Sequence, residues 1–371
     1  MDRRPTLFIL TGTSEPTGAL IASYREALCL RGHADVTLIL SSRSTLPPEQ
    51  FPGSRVLYLP LARTSRRLRD LLLYPLALIR SGWALRQALR AAGCERLQVN
   101  DFYFLEGAVA RLFGYRGQIV TWMRIQPSRL GRLFGPICLW AARKVSSQLV
   151  AVSEYIRRSL PPGYAAMVLY EPAPQGHPIS KPASDARFVF VGNYIPGKGQ
   201  DVAVEAFHRV CGNFPAAELH FFGGDMGLEK NRAYLRDIRR LAEGGTGASQ
   251  IYFHGFVEDT ATVLDGALAA LNLSENESFS LTCQEASAQG VAVIATNCGG
   301  PAEIVEDGLT GYLVPIGDVD AVADRMRLLL ADPEGARGMG RQGALLMQER
   351  FPADRFVRAL VQIFYLPLRT D

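Results

Sequence analysis

Residues 272–314 read NLSENESFSLTCQEASAQGVAVIATNCGGPAEIVEDGLTGYLV. The start of this stretch closes an apolar run, 270–273, of the length a buried strand needs. A polar loop, 274–280, follows, then a helical pattern over 281–288. A second apolar strand, 291–295, leads into the small-residue loop Asn297-Cys298-Gly299-Gly300-Pro301. Strand, helix and strand in that order form the repeating unit of a parallel sheet with crossover helices. The run also sets Glu277 and Glu285 eight positions apart across the strand-to-helix turn. It can thus offer a carboxylate, a helix N-terminus and a close backbone approach to one phosphorylated, hydroxyl-rich ligand.

The same alternation extends in both directions. Upstream of the quoted stretch, strands are expected at 187–191, 218–222 and 251–254, with helices at 200–210 and 234–242. Downstream, helices are expected at 319–330 and 335–349. The segment 171–186, EPAPQGHPISKPASDA, carries four prolines and no periodicity, and reads as a linker. Before it the alternation runs once already. Strands are expected at 7–10, 36–40, 97–99, 119–121 and 148–152, and helices at 18–30 and 68–91. Between 40 and 68 the reading is irregular and arginine-rich, and Ser153 caps a short helix through Leu160. A length of 371 residues exceeds one ordinary core, which suits two domains, 1–180 and 181–350. The tail from 351 is apolar enough to need a partner surface, either on its own domain or back on the first.

Bulk composition narrows the function classes. Hydrophobic residues at 48% and charged ones at 20% describe a soluble globular chain. The six cysteines are scattered without a C-x-x-C pair and the five histidines lack ligand spacing, which argues against a disulfide framework and a structural zinc. A reducing cytosol is the expected compartment. The short apolar run at the start reads as a first strand and not a signal peptide. The apolar run 71–79 is broken by Pro75 and closed by Arg80, far short of the ~20 residues a membrane span needs.

Charge is divided unevenly: residues 1–180 hold 23 basic against 11 acidic side chains, and the remainder 17 against 25. Arg63, Arg66, Arg67, Arg69, Arg80, Arg86 and Arg90, then Arg129, Arg132, Arg143 and Lys144, lie among apolar residues. Such a basic amphipathic patch is either a face for an anionic membrane or a solvated helix face. No nucleic-acid motif interleaves aromatics with these charges, so nucleic acid is not an expected partner.

Two loops carry the chemistry. Gly192-Asn193-Tyr194-Ile195-Pro196-Gly197-Lys198-Gly199 follows a strand and opens a helix, so its N–H groups and the helix dipole can face an anion. Lys198 would add a mobile ammonium for a diphosphate, although the glycine spacing is not that of a P-loop. In the second loop, Glu277 can accept from sugar hydroxyls, and the amides of Phe279, Ser280 and Leu281 point from a helix start. Glu285, one turn in, can grip vicinal ribose hydroxyls. The plainer readings are a helix-capping Glu277 and a surface Glu285. A glycosidase pair would have to flank a bond from opposed positions, which this short spacing does not suit. Asp318-Val319-Asp320 precedes a helix and reads as a cap in preference to a metal motif.

At these residues the chain resembles a family-4 retaining glycosyltransferase of the GT-B fold. The matching pieces run in family order: Phe190-Val191-Gly192 to Lys198-Gly199 with Asp201, then His254-Gly255-Phe256-Val257. Glu277-Ser278-Phe279 with Glu285-Ala286 comes next, then 292–296, Gly299-Gly300-Pro301, Glu303-Ile304-Val305 and Gly311. Ala151-Val152-Ser153-Glu154 matches the last strand before the linker.

The resemblance implies an α/β architecture of two Rossmann-like parallel-sheet domains facing a central cleft, with a C-terminal helix over 351–371. It implies a nucleotide-sugar donor on the second domain, a glycan or lipid-linked acceptor on the first, and hexosyl transfer with retention and without a metal or other cofactor. Lys198 would stabilise the diphosphate, Glu277 orient the sugar and Glu285 hold the ribose. Backbone near Phe256 would meet the base, and Gly192, Asn193, Gly197 and the amides of Phe279, Ser280 and Leu281 would complete the donor site.

Departures from the family pattern mark where this chain is individual. Asn193 stands where an arginine is usual, and Ser280 where glycine is usual. On the acceptor side the loop after the first strand is Gly12-Thr13-Ser14-Glu15-Pro16-Thr17-Gly18, and no histidine follows Trp122-Met123. Thr13, Asp101 and Arg124 are the candidate acceptor-side residues, the last two being equally suited to a structural ion pair. The context implied is surface polysaccharide biosynthesis on the inner face of the cell membrane. The alternatives are a sugar-nucleotide epimerase on the same plan and a catalytically silent sugar-nucleotide binding protein.

Overall fold

The computed structural model describes residues 4–12, 17–62, 68–175 and 186–366, without the side chains of 68, 69 and 71. Thr13, Arg63, Arg66 and Arg67, the Arg69 side chain and the middle of the proline-rich linker lie outside the described residues. The chain divides into two compact units, 1–171 with 353–371, and 172–352.

The first unit is built on β1 (Thr6–Leu10), α1 (Gly18–Cys29), β2 (Asp35–Ser41), β3 (Arg55–Leu59), α2 (Leu68–Ala91) and β4 (Arg96–Val99). It continues through α3 (Glu106–Leu112), β5 (Gln118–Met123), α4 (Phe134–Val145), β6 (Gln148–Ala151), α5 (Glu154–Arg158) and β7 (Met167–Val168). All seven strands are parallel, in the order β3-β2-β1-β4-β5-β6-β7. Its central strands are apolar on both faces, as a sheet covered by helices requires. Leu7, Ile9, Leu38, Leu97, Ile119 and Val120 are fully buried. Thr17 caps α1 through the Leu20 N–H at 3.2 Å, and Ser153 caps α5 through the Ile156 N–H at 3.1 Å.

β3 falls inside the stretch read from sequence as irregular. It is the outermost strand, only its last residue is fully buried, and its pairing with β2 defines it more than any long apolar run does.

The second unit holds β8 (Arg187–Val191), α6 (Gln200–His208), β9 (Glu218–Phe222), α7 (Glu229–Glu243), β10 (Ile251–His254), α8 (Thr260–Leu264) and β11 (Ala269–Asn272). After them come α9 (Leu281–Ala288), β12 (Ala292–Thr296), β13 (Gly311–Val314), α10 (Val319–Ala331) and α11 (Pro333–Arg350). These six strands are also parallel, ordered β10-β9-β8-β11-β12-β13. Phe188, Phe190, Leu219, Phe221, Leu271 and Ile294 pack against α6 and α10 through Val204, Phe207, Val322 and Met326. Asp318 caps α10 by accepting from the Ala321 N–H at 2.9 Å, and Asp320 pairs with Arg209.

The last helix, α12 (Ala353–Ile363), returns the chain to the first unit. Phe356, Leu360, Val361 and Ile363 recur at helical spacing and are buried, each such side chain worth ~1.5–3 kcal/mol on transfer from water. Just beyond it the Phe364 ring stacks on Trp122 of β5, centroids 6.0 Å apart. Arg96 Nε donates to the Phe364 carbonyl at 2.7 Å, and Gln118 Nε2 to that of Ile363 at 2.6 Å.

Candidate functional site

In the second sheet β8 and β11 are hydrogen-bonded neighbours, yet the chain leaves β8 toward β9 and β11 toward β12. The loops beyond their carboxyl ends therefore diverge and open a crevice, the usual ligand position in an open parallel sheet. The loop after β8 turns tightly, with the Lys198 N–H on the Ile195 carbonyl at 3.0 Å. Gly199 has φ +85°, and a Cβ there would lie 2.2 Å from the Leu273 carbonyl oxygen. Only glycine suits both demands. The two loops are joined directly by the Glu275 N–H on the Gly197 carbonyl at 2.8 Å.

That junction brings Lys198 to Glu277. The ammonium Nζ lies 2.5 Å from Glu277 Oε1, and Ser274 Oγ donates to the same oxygen at 3.0 Å. Ser274 is held in turn by Thr296, whose hydroxyl donates to its carbonyl at 2.5 Å. Neither end of the ion pair is sealed from solvent, the side chains keeping 32% and 18% of their surface. The pair can therefore exchange partners with an anionic ligand. Glu277 also lies beside Gly299 in a parallel bridge, and its carbonyl accepts from the Gly300 N–H at 2.9 Å. A Cβ on Gly300 would sit 2.3 Å from the Phe279 Cα, which explains the small residues of this second turn.

α9 starts at this point. Its cap is Ser280 and not Glu277: Ser280 Oγ accepts from the Cys283 N–H at 3.3 Å and from Asn272 Nδ2 at 2.7 Å. Ser280 has φ +88°, the conformation glycine adopts without strain. Phe279 is buried with its ring edge-on to Phe351, centroids 5.6 Å apart. Glu285 is not a surface residue. It is 8% exposed and accepts from Thr260 Oγ1 at 3.0 Å.

Asn193 has become a strut. Its Oδ1 accepts from the Gly224 N–H at 3.1 Å, while the Tyr194 N–H donates back to the Gly224 carbonyl at 2.9 Å. Gln200 Nε2 reaches the Asn193 carbonyl at 3.1 Å, so the β8 loop is braced from both sides. Gly192 continues the β8–β9 ladder through its N–H on the Phe222 carbonyl at 2.8 Å. Phe256, beyond β10, keeps half of its surface exposed beside Gly224.

Residues 177–345 match the family model of Glycosyl transferases group 1. This segment belongs to that family. Over 188 residues, 51% of this chain, it is 38% identical to the N-acetyl-alpha-D-glucosaminyl L-malate synthase of Bacillus anthracis, spanning 47% of that relative's length. A GDP-mannose-dependent alpha-(1-6)-phosphatidylinositol monomannoside mannosyltransferase of Mycolicibacterium smegmatis is 28% identical over 274 residues, covering 64% of this chain and 67% of that protein. Among solved structures, Anabaena HepE in complex with UDP-glucose superposes with a TM-score of 0.80 at 18% identity, covering 97% of this chain and 99% of that one. The fold is GT-B, two Rossmann-like parallel-sheet units.

The group 1 segment thus gathers Gly192, Asn193, Gly197, Lys198, Glu277, Phe279, Ser280, Leu281 and Glu285 around the β8 and β11 loops and α9, with Phe256 beyond β10. Asn272, Ser274, Thr260 and Thr296, which orient those residues, escaped the sequence reading. A polar residue at the end of an apolar strand is the signal for the first two.

In the first unit, outside the group 1 match, Asp101 and Arg124 also come together, within a buried network at the carboxyl ends of β4 and β5. Arg124 donates from Nε to Asn100 Oδ1 at 2.6 Å, from Nη1 to Glu171 at 2.8 Å and from Nη2 to Glu26 at 2.5 Å. Gln98 donates to the other Glu26 oxygen. Asp101 Oδ1 accepts the backbone N–H groups of Phe102 and Arg124, at 2.9 and 3.3 Å. Burial pushes the Asp101 carboxyl up to about 8. Glu26 is also pushed up to about 8, by burial first, with Arg124 opposing and Glu171 adding to the rise. All three side-chain nitrogens of Arg124 are committed to protein acceptors, so the residue shapes these loops as an ion-pair member. Glu26 and Glu171, each far from Arg124 in sequence, carried no signal of their partnership.

Proposed function

We propose that the protein transfers a hexose-type sugar from a nucleoside-diphosphate sugar to a glycan or lipid-linked acceptor, with retention at the anomeric carbon and without a metal. The observation that carries this reading is the Lys198–Glu277 pair, held where the β8 and β11 loops diverge and next to the start of α9. Breaking the bond between anomeric carbon and diphosphate leaves negative charge on the departing phosphate. Lys198 and the amides at the start of α9 are the groups that would meet it, and fixed charges of this kind lower such barriers most. Glu285 would take the ribose hydroxyls and the Phe256 loop the base.

Retention by front-face departure and attack suits Glu277 as found. A carboxylate oxygen already bound by an ammonium and a serine hydroxyl is a weak nucleophile, but it can hold a sugar hydroxyl in place. The names of the relatives support the substrate class: a glucosaminyl malate synthase, a phosphatidylinositol mannoside mannosyltransferase and a structure holding UDP-glucose. The lipid acceptor in the second name favours surface glycan synthesis at the inner face of the cell membrane.

The test is a thermal-shift panel of UDP, GDP, ADP and their sugars, followed by transfer with the stabilising donor. A ligand present at one hundred times its Kd stabilises by ~2.7 kcal/mol, a clear shift. Transfer is expected to give the same anomeric configuration as the donor, to survive EDTA, and to vanish in Glu277→Ala. Conversion of the donor in the absence of acceptor would establish an epimerase instead, and donor binding without turnover a silent binding protein.

A further inference from the structure

A surface helix that packs on a sheet ordinarily turns a polar face outward. α2 and α4 do not. α2 buries Ser81, Leu85 and Leu89, yet on its outer face Leu72, Leu76, Ile79 and Trp83 follow at intervals of four, three and four residues and are 49–71% exposed. α4 buries Cys138, Leu139 and Ala142, while Leu133, Ile137 and Trp140 repeat the same spacing and are 57–80% exposed. The two helices touch at their amino ends, where the Tyr74 and Phe134 rings meet edge to face with centroids 6.3 Å apart. Single exposed apolar residues are ordinary, but two neighbouring stripes of them mark a contact surface.

The charges around these stripes have one sign. Arg80, Arg129, Arg132, Arg143 and Lys144 are exposed, and the sequence contains no acidic residue between Asp70 and Glu95 or between Glu106 and Glu154. A second copy of the chain would bring the same positive rim against itself in a two-fold contact. An anionic lipid surface complements both features: headgroups meet the arginines, leucine and isoleucine enter the acyl boundary, and tryptophan rings rest at the level between. Among the described residues no helix is long and apolar enough to cross a membrane, so the contact lies along the surface.

We propose that the outer faces of α2 and α4 dock this protein onto an anionic bilayer. Its purpose, delivery of a lipid-linked acceptor, rests on the functional reading above; the surface itself does not. The experiment is co-sedimentation of the full chain with vesicles of phosphatidylcholine alone and of phosphatidylcholine mixed with phosphatidylglycerol, at low and high salt, for the natural protein and for Leu76→Asp/Trp140→Asp. Binding to the phosphatidylglycerol vesicles is expected to exceed binding to the neutral ones by at least roughly tenfold, and to fall with salt. The double variant should lose on the order of tenfold in vesicle binding. Its nucleotide-sugar thermal shift should be unchanged, which shows the fold intact.

Equal binding to both vesicle types, or a variant that binds as the natural protein does, would overturn the proposal. So would a natural dimer that the double variant splits. Absent vesicle binding with transfer to a soluble acceptor intact would refute the docking surface alone. Vesicle binding as described in a protein without transfer would uphold it and refute the enzyme.

Discussion

Lys198 and Glu277 stand 79 positions apart in the chain and meet only because β8 and β11 are neighbours. Their pair is partly exposed, so its share of stability is small, ~0–1 kcal/mol. Under the proposed function its value lies in the reaction. Lys198→Ala is expected to slow transfer roughly a hundredfold, a loss of ~3 kcal/mol in the barrier, with thermal stability nearly unchanged. A steady-state kcat equal to that of the natural protein would remove Lys198 from the mechanism. Asp101 presents the opposite case, a fully buried carboxyl whose surroundings favour the neutral form. An acid raised on folding contributes stability that is full below its ordinary 3.8 and is lost as pH rises to about 8. Asp101→Asn keeps an oxygen for the two backbone donors. The fall in melting temperature over that interval should therefore be shallower in the variant; an unchanged slope would show that Asp101 does not titrate there.

The turn into α9 concentrates the cost of building the site. Ser280 holds a left-handed backbone that costs a non-glycine residue ~1–3 kcal/mol, and it is kept there by Asn272 and Cys283. Ser280→Ala retains the strain, removes the cap and leaves the Asn272 amide without that partner, for an expected loss of ~2–3 kcal/mol. Ser280→Gly relieves the strain and should lose clearly less. Denaturation midpoints that rank the two variants the other way would show that the backbone is relaxed. β11, α9 and β12 were legible in the sequence because two apolar runs of strand length bracket a helical pattern with a small-residue turn after it. The cap was not, since Ser274, Asn276, Ser278 and Ser280 are all residues of capping type and only the folded turn selects Ser280. β3 escaped because a five-residue edge strand with only Leu59 buried carries little pattern of its own. The partners of Arg124 escaped for a different reason: α1, the loop after β4 and the end of the first unit's main segment supply them, and no local spacing links such segments.

At the scale of the whole molecule, α12 ties the end of the chain to the first unit. The apolar tail announced that it needed a surface, but two surfaces were open to it, and the choice depends on the Trp122 ring that Phe364 stacks on and on the Arg96 and Gln118 side chains that meet its carbonyls. Phe364→Ala is expected to lower the stability of the first unit by ~3–5 kcal/mol while leaving donor affinity at the second unit intact. Hydrogen exchange resolved by peptide would test this, and equal loss of protection in both units would contradict it. The placement of α12 also fixes an order of events at the ribosome. The second unit is contiguous in sequence and is complete once residue 352 has emerged, whereas the first must wait for it with Trp122 uncapped. At ~5–20 residues per second that interval lasts roughly ten to forty seconds. A nascent chain of this protein therefore carries an unfinished N-terminal unit, its Trp122 ring still lacking Phe364, through the synthesis of the next one.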